Sequence, residues 1–487
     1  MRSPHQRPIL LSAAVLAALV LAGCFPFLPS QGGGQTTFEP PRELDPADVA
    51  LPAGYRIEVV ASGLTFPTGV AFDDEGRVFV LEAGYSYGEV FTTPRLLRLE
   101  DDGEFSVVAA GQNPPWNGIV FAEGAFYVAG GTVDGGQLLR IEPDGAITTL
   151  LDDLPSRGDH HTNGPVASGG WLYFGQGTAT NSAVVGADNA DFGWLLRHPE
   201  VHDVPCEDLT LIGRNFRSSD PLSEAGDRAV TGAFVPFGTP TEAGQVVRGQ
   251  LPCNGAVMRV RTDGSGLELV AWGFRNPFGL AFSPDGELYV SDNQYDLRGS
   301  RPVFGTGDLL WRVTPGTWYG WPDFHAERPL TDDDHFRPPG EPAPGSVLER
   351  HPQIPPAPVA RLGVHSSSNG LDVSRSPDFG HVGDVFIAQF GDLAPVAGKV
   401  LAPVGFRVVR VEPASGVVHD FAVNRGGEHG PASRLGTRGL ERPVAARFDP
   451  DGSALYVVDF GVVTVGDAPE PRLGTGVLWR IVRSEQP

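Results

Sequence analysis

Between residues 276 and 313 the chain reads Asn-Pro-Phe-Gly-Leu-Ala-Phe (276–282), Pro-Asp-Gly (284–286), Leu-Tyr-Val (288–290) and Leu-Trp-Arg-Val (310–313). The apolar stretches are short and rich in aromatic and aliphatic residues, and a Pro-Asp-Gly turn separates the first two. This pattern is typical of antiparallel strands joined by tight turns. Because the same unit recurs along the chain, a repeat architecture is the first structure to consider.

Six copies of this unit cover most of the chain and begin near residues 67, 116, 162, 276, 368 and 442. A ring of such sheets leaves few exposed edges, whereas a sandwich array or a solenoid needs shorter and more even spacing. The sequence therefore predicts an all-β, six-bladed β-propeller over residues 51–487. The sixth copy supplies only three strands, so the alternating stretch 55–60 is expected to pair with it and close the ring.

The first 23 residues have the features of a bacterial lipoprotein signal peptide. Arg2 and Arg7 precede an apolar run that is too short for a good membrane span, and Leu-Ala-Gly-Cys, ending at Cys24, matches a lipobox. An ordinary secretory signal is the alternative. Residues 24–50, rich in Pro, Gly and Gln, predict a flexible tether. The protein is thus expected to be exported and lipid-anchored, facing the periplasm or the cell exterior.

Two further cysteines, Cys206 and Cys253, fall in an insertion at about residues 176–254 that interrupts the third repeat. In an exported protein an even pair favours a disulfide over a metal site or two free thiols. The formal net charge of −23 repels phosphate backbones and anionic lipid surfaces. Nucleic acid is therefore excluded as a partner, and membrane contact is expected through the lipid alone.

Three segments carry a more specific resemblance. Residues 159–163 read Asp-His-His-Thr-Asn, residues 273–282 read Gly-Phe-Arg-Asn-Pro-Phe-Gly-Leu-Ala-Phe, and residues 318–322 read Trp-Tyr-Gly-Trp-Pro. In this order over six repeats they resemble the glucose/sorbosone dehydrogenase family, and the resemblance extends over nearly everything from Leu51 onward. Members of that family use pyrroloquinoline quinone (PQQ) and calcium.

The resemblance implies a catalytic group at the third and fourth repeats. The general base of the family falls on His160, or on His161 if the alignment shifts by one residue. Asp159 lies beside it as a group that contacts or orients the substrate. Arg275 and Asn276 match the pair that meets the quinone, where a guanidinium binds the cofactor and stabilises charge as it is reduced.

The resemblance is less complete at the other cofactor positions. Arg442 matches the first of two cofactor arginines in the last blade, but the second falls on Val444. Lys399, the only lysine, lies in the region of the cofactor lysine. Two backbone carbonyls that hold calcium in the family map to Gln294 and Tyr295, and oxygen ligands of that kind suit the ion. The loop after them departs from the family pattern, although Asp308 aligns with an acidic residue of that motif.

Together these residues imply oxidation of an aldose or a related alcohol or aldehyde, with hydride passed to PQQ. Electrons would leave to a separate acceptor, since the sequence holds no Cys-x-x-Cys-His haem motif. A non-catalytic ligand-binding or adhesion propeller and a metal-dependent lactonase-like hydrolase are the alternatives. The dehydrogenase interpretation requires that His160, Arg275 and Arg442 face one common cavity.

Overall fold

The structure, a computed structural model, describes residues 30–86 and 90–484. The predicted signal peptide and Cys24 lie outside the described residues. Two strands precede the first repeat: β1 (Val49–Ala50), which follows a single 3-10 turn at Pro46–Asp48, and β2 (Tyr55–Leu64). No helix in the described ranges is long and apolar enough to cross a membrane.

Each repeat forms one antiparallel sheet whose first strand lies innermost. Blade one contains β3 (Pro67–Phe72), β4 (Val78–Glu82), the small hairpin β5 (Tyr85–Ser86) and β6 (Val90–Phe91), β7 (Arg95–Leu99) and β8 (Phe105–Ala110). Blade two contains β9 (Trp116–Ala122), β10 (Ala125–Gly130), β11 (Gly136–Ile141) and β12 (Ile147–Leu154).

Blade three carries the long insertion predicted from the sequence. It contains β13 (Thr162–Ser168), β14 (Trp171–Gln176), α1 (Ala187–Asp191), α2 (Trp194–Arg197), β15 (Leu209–Ile212), β16 (Phe216–Ser219), β17 (Arg228–Thr231), β18 (Ala243–Val247), β19 (Ala256–Arg261) and β20 (Glu268–Trp272). A disulfide joins Cys206 to Cys253, as predicted. It ties the start of the inserted segment to the strand on which the blade resumes.

The last three blades follow the same plan. Blade four contains β21 (Asn276–Phe282), β22 (Leu288–Asn293), β23 (Gly307–Arg312), β24 (Phe324–His325), β25 (Arg328–Pro329), α3 (Asp333–Phe336) and β26 (Ala360–Val364). Blade five contains β27 (Ser368–Val373), β28 (Val385–Gln389), β29 (Arg407–Glu412) and β30 (Val417–Asn424), after which comes α4 (Ala432–Leu435). Blade six contains β31 (Pro443–Phe448), β32 (Ala454–Asp459), β33 (Val463–Val465), β34 (Pro469–Pro471) and β35 (Gly476–Arg483).

The ring closes as the sequence predicts, with the N-terminal strand in the last blade. Strand β2 pairs antiparallel with β35 and places Ile57 opposite Ile481, both buried in the core between blades five and six. Blade six is thus built from both ends of the chain, and the six-bladed propeller is confirmed. Burial of apolar side chains between neighbouring blades stabilises this arrangement.

Blades four and six each contain a hydrogen-bonded tryptophan–aspartate pair at equivalent positions. The wholly buried indoles of Trp311 and Trp479 donate to Asp292 over 3.2 Å and to Asp459 over 3.3 Å. Asp292 also accepts from the backbone N–H groups of Arg275 and Asn276. Asp459 accepts in the same way from those of Glu441 and Arg442. This arrangement fixes the main chain at the two positions where the sequence places Arg275 and Arg442.

The flexible tether predicted for residues 24–50 is wrong for its described part. Gly33 donates its N–H to Asp392 over 3.1 Å, and Gly34 accepts from the N–H of Val465 over 2.7 Å. Arg42 forms a buried ion pair with Asp459 at 2.6 Å. Strand β1 adds a fifth strand to blade five. This segment contacts the propeller mainly through its backbone and its glycines. Contacts of this kind leave no apolar periodicity in the sequence, so the pattern could not reveal them.

Candidate active site at the mouth of the channel

A cavity opens at the end of the ring where the inner strands begin. Its volume is about 890 Å³ including the part open to solvent, and a narrower extension continues down the channel. His160, Asn276, Asn293 and Ser367 line both parts. Tyr85 and the insertion residue Trp194 form part of the rim. His160 and Ser367 thus reach the mouth from segments that lie directly before the inner strands β13 and β27.

His160 is held in one orientation by blade three. Its Nδ1 lies 2.8 Å from the carbonyl oxygen of Thr178 and 3.2 Å from the hydroxyl of the same residue. A carbonyl oxygen only accepts, so Nδ1 carries the proton and Nε2 keeps a lone pair. Burial, aided by the charges of Arg275 and Arg298, lowers the pKa of His160 well below 6.5. The imidazole is therefore neutral, as a general base must be.

Arg275 lies beside His160 and is largely engaged by the protein. It donates to the backbone and side-chain oxygens of Asn181 over 3.2 and 3.0 Å, to the carbonyl of Asn293 over 3.3 Å and to Asp296 over 2.7 Å. These contacts use four of its five N–H groups. Arg275 thus lines the cavity as a fixed cation with one N–H left for a ligand.

Arg298 is a second cavity arginine, which the sequence argument missed. Its NH1 group donates to Asp159 over 2.7 Å and to Asp188 over 2.6 Å, and its Nε donates to Asp296 over 3.1 Å. Asp159 also accepts from Asn189 of the insertion over 2.9 Å. Asp159 therefore does lie next to His160 in the cavity wall, but as part of a charge network that joins blade four to the insertion.

His365 also lines the cavity and was not predicted. Its Nδ1 lies 3.4 Å from Asp296. Burial alone would lower the pKa of His365, but the hydrogen bond to Asp296 and the charges of Asp296, Asp308 and Asp392 outweigh burial and raise it. The backbone of His365 has φ +58° and that of Ser367 has φ +48°, a left-handed conformation that non-glycine residues seldom adopt. Such strain clusters at functional sites.

A chain of side-chain amides surrounds the narrower extension. Asn117 donates to Asn163 over 3.3 Å, Asn163 to Asn276 over 3.0 Å, and Asn276 to Asn293 over 3.0 Å. Asn276, predicted as a cofactor contact, is therefore positioned by Asn163 of blade three and by Asn293 of its own blade. One side of the same extension is apolar, being lined by Phe278, Phe390, Val444 and Phe460.

Arg442 does not line the cavity, so the requirement that His160, Arg275 and Arg442 face one cavity is met by His160 and Arg275 and fails for Arg442. Its guanidinium donates to the backbone carbonyls of residues 390, 391 and 392 over 3.3, 3.3 and 3.1 Å and lies 4.8 and 4.9 Å from the ring centres of Phe390 and Phe406. It is only 1% exposed. Gly391 does line the cavity, so Arg442 lies directly behind the wall. The docked segment at Gly34 covers it from the other side.

Lys399 also fails to reach the cavity. It is exposed on the segment between β28 and β29, and it is not among the cavity-lining residues. Two of the predicted cofactor cations are therefore turned elsewhere, while Arg298 and His365 line the mouth, each paired with carboxylates there. The signal that could have found Arg298 is its position two residues after Asp296, directly behind the predicted calcium carbonyls.

The two residues predicted to hold calcium line the cavity, but no other observation supports a calcium site there. Gln294 and Tyr295 both line it. The carbonyl of Tyr295 accepts from the hydroxyl of Thr306 over 2.7 Å, and the N–H of Gln294 donates to Asp308 over 3.1 Å. No cluster of three or more His, Cys, Asp or Glu side chains suited to a metal occurs in the described ranges. Calcium binding by these two carbonyls stays a prediction.

Comparison with known proteins places the chain by its fold. No protein-family model matches the sequence, and no curated protein matches it. The PQQ domain of pyranose dehydrogenase from Coprinopsis cinerea, in its holo form, aligns over 91% of this chain and 98% of its own with a TM-score of 0.54 and 14% identity. A calcium structure of a carbohydrate-active enzyme of family AA12 from Trichoderma reesei aligns over 91% and 98% with a TM-score of 0.52 and 15% identity.

A third similar structure is the PQQ-bound aldose sugar dehydrogenase from Streptomyces coelicolor, with a TM-score of 0.49, 18% identity and coverage of 89% of this chain and 100% of its own. The two structures with TM-scores of 0.54 and 0.52 share the fold of this chain, and identities of 14% and 15% do not transfer a site. What its own site does has to be argued from the residues in the cavity.

Proposed function

We propose that this protein is a PQQ-dependent oxidoreductase that oxidises a hydroxyl group of an aldose or a related alcohol or aldehyde. The observation that carries the proposal is the pairing of His160 with Arg275 in one cavity. A neutral imidazole with a free Nε2 and a fixed guanidinium beside it are the two groups that hydride removal from a hydroxyl-bearing carbon requires. The contacts of His160 and Arg275 are observed in this chain, so they support the proposal without any appeal to similar proteins.

The cavity residues fit the dione end of PQQ, whereas the cations expected for its carboxylates do not line the cavity. Arg275 and Asn276 line the cavity next to His160, as a reactive dione would require. PQQ also carries three carboxylates, and the cations expected for them, Arg442 and Lys399, point away. Arg298 and His365 are the cavity cations that would meet those carboxylates instead. Calcium, if bound, would take the carbonyls of Gln294 and Tyr295.

The chain's own residues account for the proton. A substrate hydroxyl near Nε2 of His160 gives its proton to that nitrogen, while Nδ1 continues to donate to Thr178. The Thr178 carbonyl thereby stabilises the imidazolium that forms. The carbon bearing the hydroxyl loses a hydride and becomes a carbonyl, and the free N–H of Arg275 offers a hydrogen bond to charge that develops beside it. PQQ, when bound, is the two-electron acceptor for that hydride.

Reconstitution tests the proposal. The purified full chain is loaded with PQQ and Ca²⁺, and dye reduction is followed with a panel of aldoses and alcohols. His160→Asn is expected to lower kcat by about 10²–10⁴, while His419→Asn, an exposed histidine paired with Glu412 at 2.9 Å, should leave it unchanged. Calorimetry of PQQ binding separates a silent enzyme from one that cannot take up its cofactor.

A non-catalytic binding module is the second candidate, and one observation favours it. Val444 stands where the family has a cofactor arginine, and Arg442 is sealed behind the cavity wall. A ligand-binding propeller would show no PQQ uptake by calorimetry and no dye reduction with any substrate. Retention of PQQ together with loss of turnover in His160→Asn would exclude it.

The location of the protein is proposed separately. We infer from the lipobox at Cys24 that the chain is exported and carries a lipid at its mature N-terminus, with electrons leaving to a separate acceptor in the same compartment. Metabolic labelling with a palmitate analogue tests this: wild-type chain should be labelled and Cys24→Ser should not. Label retained by Cys24→Ser would contradict the proposal.

A further inference from the structure

A second cleft adjoins the cavity on the side of the insertion. It is formed by the β16–β17 ribbon of blade three and by residues 298–302 and 341–344 of blade four, with a volume of about 1580 Å³ including open solvent. Phe192, Arg298 and Val396 line both the cavity and the cleft. The cavity and the cleft therefore adjoin at these three residues.

The cleft is locally positive in a strongly acidic protein. Arg214, Arg217 and Arg228 line it, all three are exposed, and none forms an ion pair with a residue in the described ranges. Ser219 lies opposite Arg228 in the ribbon, so Arg217 and Arg228 project from the same face of the two strands. Three acids, Asp188, Asp191 and Glu341, also line the cleft. Arg298 and Arg301 line it as well, so the lining holds five arginines against three acids.

The inner end of the cleft holds a buried acceptor without a partner. Asp188 is 7% exposed, and its Oδ2 accepts from Arg298 over 2.6 Å, but its buried Oδ1 has no hydrogen-bond partner among the described residues. A buried unsatisfied oxygen costs free energy unless a ligand or water supplies a donor. A hydroxyl group is the donor that suits a carboxylate oxygen at this position.

The other lining groups suit a sugar chain. The rings of Phe192 and Phe216 and the proline faces of Pro342 and Pro344 offer apolar surface between the charged groups. Apolar faces that alternate with planar polar groups match the alternation of C–H faces and hydroxyls on a pyranose ring. Guanidinium groups bind carboxylates in bidentate geometry.

We propose that the cleft binds the further units of an oligosaccharide that carries carboxylates, so that the sugar oxidised in the cavity is the end of a uronate-containing chain. This inference rests on the proposed function in one respect. The sugar unit that is oxidised would occupy the cavity, and this fixes which end of the chain lies there. Binding in the cleft itself needs neither cofactor nor turnover.

Calorimetry on the full chain without PQQ tests the cleft directly. Trigalacturonate is the acidic probe, and a neutral trisaccharide of galactose is the matched comparison. We expect the acidic trimer to bind roughly tenfold more tightly than the neutral one, with an affinity that falls as salt is added. Arg217→Ala and Arg228→Ala should each weaken it by roughly tenfold, and Phe216→Ala should weaken both trimers.

Arg248→Ala is the matched control, since Arg248 is an exposed arginine of the same insertion that pairs with Asp208 outside the cleft. Equal affinity for the two trimers, no binding of either, or binding untouched by the cleft variants would overturn the proposal. If simple aldoses are oxidised but the trimer does not bind, the proposal for the cleft is wrong and the proposed oxidoreductase function is not affected. If the trimer binds but no substrate is oxidised, the proposal for the cleft holds and the proposed oxidoreductase function is refuted.

Discussion

The Nδ1 of His160 lies 2.8 Å from the carbonyl oxygen of Thr178, and this single contact fixes which ring nitrogen can act on a substrate. The proton stays on Nδ1, and Nε2 is the acceptor. Arg275 does not hold the ring by a hydrogen bond, but its charge lowers the pKa of His160. One contact sets the geometry of the base, and burial together with the neighbouring charges of Arg275 and Arg298 keeps it deprotonated.

The pH dependence of activity follows from this arrangement. Because burial, Arg275 and Arg298 hold the pKa of His160 well below 6.5, the base stays deprotonated through that pH. We expect kcat/KM to be flat on lowering the pH through 6.5 and to fall only in more acidic solution. Arg275→Gln should move the acidic limb to higher pH, since it removes a charge that opposes protonation. A wild-type limb centred at or above 6.5 would contradict this assignment.

Arg442 is expected to act on stability. Arg442→Met removes the donor to three wall carbonyls and should lower the free energy of unfolding by about 3 kcal/mol, measured by urea denaturation. Arg312→Met, which removes an exposed ion pair with Glu287 at 3.0 Å, should change it by no more than about 0.5 kcal/mol. Unchanged stability combined with lost PQQ affinity would mean that Arg442 faces the ligand after all.

Glu441 gives a pH-dependent stability with a defined sign. Burial raises its pKa from 4.5 to about 7, against the opposing charge of Arg42. The folded state thus holds a proton that the unfolded state has lost between these values, so ionisation of Glu441 destabilises the protein as the pH rises through 7. Glu441→Gln mimics the protonated side chain. We expect it to be more stable than wild type above pH 7 and equal to it near pH 4.5.

Thermal unfolding at several pH values measures that difference. Glu441 accepts two hydrogen bonds from Ser433, at 2.7 Å from its N–H and at 2.9 Å from its hydroxyl. In the variant the amide oxygen can keep the first, and the amide nitrogen can donate to the hydroxyl in place of the second. A Glu441→Gln protein that is less stable than wild type at pH 8 would show that the ionised carboxylate is stabilising here.

The disulfide should contribute to the stability of the insertion. Cys206 and Cys253 close a loop of 47 residues, for which the chain-entropy account gives about 4 kcal/mol. Cys206→Ser with Cys253→Ser is expected to lower the unfolding free energy by an amount of that order. Reductant should lower the Tm of wild type and leave the double variant unchanged. If reductant affects both proteins equally, the bond does not carry the effect.

The docked N-terminal segment gives a steric prediction. The first side-chain carbon of any residue placed at Gly33 would overlap the ring of Phe406. Gly33→Val should therefore release residues 31–36 and speed amide exchange there, and it should also lower the Tm. Gly427→Ala is the matched control, because a Cβ there meets nothing within 4 Å. Unchanged exchange in Gly33→Val would mean that the segment does not depend on this contact.

Much of the fold follows from sequence because each blade repeats a local pattern. Strand β21 and its Pro-Asp-Gly turn are recognisable without any distant contact, and residues 55–60 alternate as a closing strand must. His160 and Arg275 were predicted from the family resemblance, and each precedes an inner strand and is held by contacts within or beside its own blade. The disulfide was predicted from an even count of cysteines in a chain expected to be exported.

The orientation of Arg442 could not be read in that way. Its direction depends on the carbonyls of residues 390–392 and on Gly34 from the other end of the chain, neither of which repeats. Arg298 and His365 were missed for a related reason, because they meet at Asp296 only after the loops of blades four and five are packed together. Local pattern predicts the inner strands, while the loops between them decide which charges reach the cavity.

The pairing of Ile57 with Ile481 has a consequence for biosynthesis. The strand that seals the ring, β2, is synthesised before any of the six inner strands, and its partner β35 is synthesised after all of them. A product that stops before β35 cannot complete the circle, so the ring stays open until that strand has been made. A truncation that removes β35 leaves two unpaired edges, one on each side of the gap, and these become sites for association between chains.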